Sequence, residues 1–166
     1  DAVAMSQRVV DALPVDVAGL SPHGEELGDA DQAVVVDALQ QHAELLIEAD
    51  GKDNFKRAVE VADRIFAVVD KTKAKRQRNV SQVMGANSGG SHARPNSGEV
   101  GSTSGNQDLD LDVATARYWR ARALVKLEDW DKALPDVEEA VQIRTAVLGE
   151  QNEEVPKTLS LQGQIY

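Results

Sequence analysis

The sequence predicts an all-α fold in which antiparallel helical hairpins stack side by side. Apolar residues recur at spacings of three and four, as amphipathic helices require. The chain has 166 residues, 42% of them hydrophobic, and only two each of Phe, Trp and Tyr. The core must therefore come from Ala, Val, Leu and Ile, and Ala and Leu lose little entropy on entering a helix. The third observation is a short pattern that occurs twice.

Residues 1–31 are predicted to form an N-terminal helix and a linker. Met5, Val9 and Leu13 share one helical face, and Pro14 ends the run. The remainder of this segment combines prolines and glycines with little periodicity, which is typical of a linker.

The first helical hairpin is predicted over residues 32–70. A helix capped by Asp31 is followed by a break at Gly51 and by a second helix from about Asn54. A turn this short forces the two helices to pack antiparallel. Residues that recur at helical spacing in the first of them are Val35, Leu39, His42, Leu46 and Ala49.

Residues 71–112 are predicted to be a flexible insertion between the first and second repeats. Five positive charges occupy the eight positions from Lys71 to Arg78. Six glycines and many serines follow between Gly85 and Gln107. So few apolar residues remain that burial cannot offset the entropy of ordering, which favours disorder.

Residues 113–166 are predicted to contain a second hairpin and the first helix of a third repeat. The turn lies at Glu128-Asp129, and Pro156 stands in the first turn of the last helix. The pattern stops at Tyr166 in mid-repeat, so we expect the chain to be a fragment of a longer solenoid.

The repeated pattern is an aromatic residue followed three positions later by alanine. Phe55 and Ala58 recur 75 residues later as Trp130 and Ala133. This distance is one 34-residue period plus 41 residues, close to the length of the insertion. With small residues at Ala121 and Ala140, the second repeat resembles the tetratricopeptide family.

The third repeat looks like the longer variety found in kinesin light chains. Gly163 lies 42 residues after Ala121, which fits that period. Two positions depart from it, because Asn152-Glu153 replaces the usual His-Pro and Gln162 replaces a usual leucine.

The resemblance implies which residues pack the repeats and which line a groove. Small side chains let helix axes approach, and aromatic rings fill the space between hairpins. The predicted packing residues are Leu46, Phe55, Ala58, Ala121, Trp130, Ala133, Ala140 and Gly163. First helices would line a concave groove, at Gln40, Ala43 and Ile47 in repeat one, Tyr118, Arg122, Val125 and Lys126 in repeat two, and Lys157, Ser160 and Gln164 in repeat three.

The groove would hold three cations, Arg122, Lys126 and Lys157, in a chain of formal net charge −10. Such a patch suits an acidic peptide or a carboxylate, although Arg and Lys are also ordinary on a solvated helix face. The carboxylate clamp of family co-chaperones is not expected, since only Lys157 matches among its five positions.

Other site classes find little support. The acidic balance disfavours nucleic-acid binding, and no stretch approaches the length of a membrane span. The chain has no cysteine and three scattered histidines, so no metal site, cofactor site or catalytic constellation is expected. A cytoplasmic location is expected, and the basic run Lys71 to Arg78 is equally compatible with nuclear import or with a solubilising helix extension.

Two functions remain open at this stage. The favoured hypothesis is a non-enzymatic scaffold that binds a protein or peptide partner in the groove. The alternative is a structural solenoid segment of a larger fixed assembly, of cytoskeletal or ciliary type, that docks through other faces.

Overall fold

The computed structural model describes residues 2–12, 29–86 and 104–166, and within these ranges it contains helices and turns but no strand. The prediction of an all-α fold is confirmed. In chain order the helices are α1 (Ala2–Ala12), α2 (Asp29–Glu48), α3 (Lys52–Ala86), α4 (Ser104–Lys126), α5 (Trp130–Leu148) and α6 (Glu154–Ile165).

The helices that flank the predicted insertion are longer than the sequence pattern suggested. α3 continues through the basic run to Ala86, and α4 already begins at Ser104. The prediction of a flexible insertion over 71–112 is therefore wrong for 71–86 and 104–112, while 87–103 lie outside the described residues. Lys and Arg are good helix formers, and Lys73 pairs with Asp110 of α4 at 2.7 Å, so α3 keeps a packing partner after its apolar stripe ends.

Both hairpin turns contain a residue with a left-handed backbone. Between α2 and α3, Asp50 and Gly51 have φ values of 53° and 105°. Between α4 and α5, Glu128 has a φ of 63°. These conformations reverse the chain within three residues, which brings each helix back along the preceding one.

The helices pack in the order in which they follow each other. Each of the contacts α1–α2, α2–α3, α3–α4, α4–α5 and α5–α6 is present, and α4 also contacts α2 and α6. The largest cluster of buried apolar residues includes Leu39, Leu46 and Ile65, and so lies within the first hairpin and against α4. A smaller cluster joins α4, α5 and α6 around Val137 and Leu161.

The pattern of buried positions along α3 recurs in α5, shifted by the 75 residues that separate the two copies of the sequence pattern. The buried positions of α5 are Ala133, Asp136, Val137, Ala140 and Arg144. Subtracting 75 from each gives Ala58, Val61, Ala62, Ile65 and Val69, and all of these are buried as well. The second helices of the two hairpins therefore turn the same face towards their neighbours.

Two of the predicted packing residues do not pack as expected. Phe55 is 5% exposed in the core, whereas its counterpart Trp130 is 41% exposed. Phe55 stands one turn inside α3, while Trp130 is the first residue of α5, so the two rings have different surroundings. Gly163 faces open space, with no atom within 4 Å of where a Cβ would stand. The other six, Leu46, Phe55, Ala58, Ala121, Ala133 and Ala140, are buried.

Candidate functional site

A cleft of about 630 Å³ lies between α4 and α6. It is lined by all seven groove residues that the sequence predicts for repeats two and three. They are Tyr118, Arg122, Val125 and Lys126 on α4, and Lys157, Ser160 and Gln164 on α6. Pro156 and Leu161 complete the lining.

The groove residues expected from the first repeat lie elsewhere. Ala43 and Ile47 are 0% and 5% exposed, because they belong to the core between the first hairpin and α4. Gln40 donates a hydrogen bond of 3.3 Å to the carboxylate of Asp112 on α4. α2 instead exposes Glu44 and Glu48. The predicted groove therefore does not extend across the first hairpin.

The three cations of the cleft differ in their surroundings. The Nζ of Lys157 lies 2.8 Å from Glu154, the first residue of α6, and 3.7 Å from Glu153, which precedes the helix. The hydrogen bond to Glu154 raises the pKa of Lys157. The guanidinium of Arg122 lies 4.9 Å from the ring centre of Trp119 and 5.8 Å from that of Tyr118.

Arg122 and Lys126 have no carboxylate partner in the part of the chain that the structure describes. Lys126 is exposed at the C-terminal end of α4, where the helix dipole favours a positive charge. Arg122 rests against two aromatic rings, and such contacts hold a guanidinium while its N–H edge stays available to an anion.

A buried arginine holds α6, one wall of the cleft, against α5. Arg144 of α5 is 3% exposed and donates a 2.6 Å hydrogen bond to the hydroxyl of Thr158. Its guanidinium lies 3.2 Å from the carboxylate of Glu154 and 4.8 Å from the ring centre of Tyr118. Burial lowers the pKa of Arg144, and the charge of Glu154 opposes that shift. One side chain therefore links α5 to the wall residue Tyr118 of α4 and to Glu154 and Thr158 of α6.

A second buried charge cluster joins α3, α4 and α5. Asp136 is 2% exposed and accepts hydrogen bonds from Arg117 at 2.9 Å and from Arg120 at 2.6 Å. Arg120 also bonds to Asp63 of α3, and both guanidinium groups lie over the ring of Phe66. This cluster holds α4, which carries the cationic wall of the cleft, against its two neighbours.

Sequence reasoning missed both charge clusters. The available signal was position, since Asp136 and Arg144 occupy the two places in α5 where the corresponding face of α3 carries Val61 and Val69. A charged residue at an apolar position of an amphipathic helix indicates a paired, buried charge.

The described residues offer no sign of a metal or membrane-spanning site. Within those ranges no three His, Asp or Glu side chains converge as metal ligands would. None of the described helices combines the length and apolarity that crossing a bilayer demands. Comparison with protein-family models, curated proteins and solved structures finds no match to this chain.

Proposed function

We propose that this chain is a non-enzymatic, cofactor-free scaffold whose α4–α6 cleft binds a segment of a partner protein. The observation that carries the proposal is the cleft itself, where Arg122 and Lys126 stand without carboxylate partners in the described part of a chain of net charge −10. Unpaired cations grouped beside an apolar floor are a typical recognition surface for an acidic segment.

The arrangement of the helices supports a repeat scaffold of tetratricopeptide type. Each helix contacts the next, α2 contacts α4, and α4 contacts α6. The 75-residue recurrence of buried positions between α3 and α5 agrees with one hairpin unit used twice. In repeat scaffolds of this kind, the alternate helices line a shared surface on which partners dock.

The test compares two double variants, one that reverses two charges inside the cleft and a control that reverses two charges outside it. Arg122→Glu with Lys126→Glu is expected to abolish capture of the chain's cellular partners, measured by quantitative mass spectrometry after cross-linking. Lys52→Glu with Lys56→Glu changes the net charge equally, at the same four-residue spacing, on the exposed start of α3. Circular dichroism should stay helical in both variants. Equal capture by the two would place the binding surface elsewhere.

A second candidate is a structural solenoid segment of a larger fixed assembly that docks through other faces. It is favoured by large apolar side chains that stand exposed outside the cleft. Leu159 of α6 is 46% exposed, Tyr166, just after the end of α6, is 82% exposed, and Trp130 is 41% exposed. In this case Leu159→Asp with Tyr166→Asp would remove partner capture, and the cleft reversal would leave it intact. The scaffold hypothesis predicts the opposite pair of results.

A further inference from the structure

The α4–α6 cleft has a charged end and a nearly neutral end. At the neutral end, the charge of Lys157 is balanced by Glu154 at 2.8 Å and by Glu153 at 3.7 Å. At the charged end, Arg122 and Lys126 stand four residues apart on α4, without a carboxylate partner among the residues that the structure describes. An incoming anion therefore meets two available cations rather than three.

Glu154 offsets the charge of Lys157 and is itself held in place. One of its carboxylate oxygens contacts Lys157 and the other lies 3.2 Å from the buried Arg144. Because Arg144 is 3% exposed and also bonded to Thr158, it keeps the carboxylate in place. A ligand carboxylate at Lys157 would therefore meet a positive charge that two neighbouring carboxylates already offset.

The surface beside the charged end is apolar. Val125 of α4 and Leu161 of α6 line the cleft, and Leu161 is 6% exposed at its floor. A side chain that covers these residues would remove apolar area from water, which favours the complex and offsets part of the ordering cost of binding.

We propose that the partner segment is recognised by a carboxylate next to a leucine-type side chain, with the carboxylate on Arg122 and Lys126 and the apolar side chain over Val125 and Leu161. Lys157 then contributes little. This inference rests on the proposed function of the cleft and adds the chemistry of its ligand. A segment must then match both the two cations and the apolar surface. This selects among partner segments more strictly than charge alone, because a segment with only one of the two groups leaves the other surface unmatched.

The test uses three fluorescein-labelled decapeptides and fluorescence anisotropy with the intact chain. The first peptide contains Glu-Leu pairs, the second has Gln in place of each Glu, and the third has Ser in place of each Leu. We expect measurable binding of the first peptide, weakened at least tenfold by either replacement. Binding should also weaken at high salt, since screening acts on the exposed cations. If the second or third peptide binds as well as the first, the two-part recognition is wrong.

Variants of the cleft separate this inference from the proposed function. Arg122→Gln and Lys126→Gln should each weaken the Glu-Leu peptide about tenfold, and Lys157→Gln less than threefold. Glu154→Gln should make binding more sensitive to Lys157→Gln, because the lysine then loses its nearest carboxylate. Equal effects of all three cation variants would overturn the inference while leaving the cleft as the binding site. Failure of all three peptides, with partner capture still sensitive to the charge reversal, would overturn the ligand chemistry alone.

Discussion

The two hairpins carry different residues at equivalent buried positions of their second helices. Val61 of α3 in the first hairpin corresponds to Asp136 of α5 in the second, 75 residues later. The same comparison pairs Val69 with Arg144. Both hairpins have alanine at the first shared buried position, Ala58 and Ala133, but at the fourth position Ile65 of α3 is replaced by Ala140 in α5. The charged residues of the second hairpin are paired instead, Asp136 with Arg117 and Arg120, and Arg144 with Glu154. The apolar stems of the arginines can pack while their charged ends reach these carboxylates.

One packing geometry can therefore be maintained by two kinds of interaction that respond differently to substitution. An apolar core loses stability in proportion to the volume removed. A buried ion pair adds little over an apolar replacement, yet it is costly to break, because the remaining charge stays buried without a partner. The second hairpin should therefore tolerate replacement of whole charge pairs better than the loss of one member.

The largest effect is expected for Asp136→Ala. The change leaves the guanidinium groups of Arg117 and Arg120 without their shared carboxylate, at a cost of about 3 kcal/mol. This is the lower end of the usual range, because the two side chains are 23% and 25% exposed. Urea unfolding followed by circular dichroism measures the loss. Val61→Ala, at the equivalent place in the first hairpin, should cost about 2 kcal/mol through the cavity it creates.

A double replacement sharpens the same contrast. Asp136→Leu together with Arg120→Met exchanges the pair for apolar side chains and should recover most of the stability that Asp136→Ala loses. If Asp136→Ala proves no more costly than Val61→Ala, the charge cluster does not hold the second hairpin together.

The next effect concerns Arg144, the counterpart of Val69. Arg144→Met keeps an apolar stem but removes the hydrogen bond to Thr158 and the ion pair with Glu154, at a cost of about 2 kcal/mol. Hydrogen exchange should accelerate along α6 and remain slow in α2. Binding to the cleft should weaken although Arg144 does not line it. Unchanged exchange in α6 would show that the helix is held by Val155 and Leu161 alone.

The sequence was a good guide wherever burial followed helical periodicity. Helical periodicity predicts the six helices of the described residues and the hairpin turns at Gly51 and Glu128. It also predicts that Tyr118, Arg122 and Lys126 share one face of α4. The continuation of α3 beyond Lys71 could not be predicted in this way, because its partners there are polar. Thr72, for example, is 2% exposed and donates a hydrogen bond to the side chain of Gln32.

The cleft could be predicted in composition but not in extent. Its α4 and α6 walls were expected from the repeat register, yet Ala43 and Ile47 of α2 are core residues. Whether a helix position faces a groove or a neighbour depends on the angle at which adjacent hairpins pack, which one sequence does not specify. The balancing of Lys157 by Glu154 also depends on Arg144, which lies ten positions earlier along the chain than Glu154.

A smaller effect is expected at α1, which side-chain hydrogen bonds to His42 connect to α2, as the buried Arg144 connects α6 to α5. His42 of α2 is 1% exposed, with its ring nitrogens 2.8 Å from the Oγ of Ser6 and 2.9 Å from the Oε1 of Gln7. Ser6→Ala should cost about 1 kcal/mol. Hydrogen exchange should rise in residues 2–8 only. Faster exchange in α6 as well would mean that the two ends of the stack are coupled.

The smallest effect is a gain in stability. Burial raises the pKa of Asp112, the hydrogen bond from Gln40 opposes the shift, and the charges of Asp108 and Asp37 add to it. A raised pKa in the folded state means that ionisation disfavours folding, so stability falls as the pH rises through that value. Asp112→Asn should therefore raise the unfolding temperature slightly at pH 7. The gain should disappear below about pH 4, where the carboxyl is protonated in both states. Asp70→Asn, at an exposed site on α3, removes the same charge, and an equal gain there would trace the effect to net charge rather than to the α2–α4 contact.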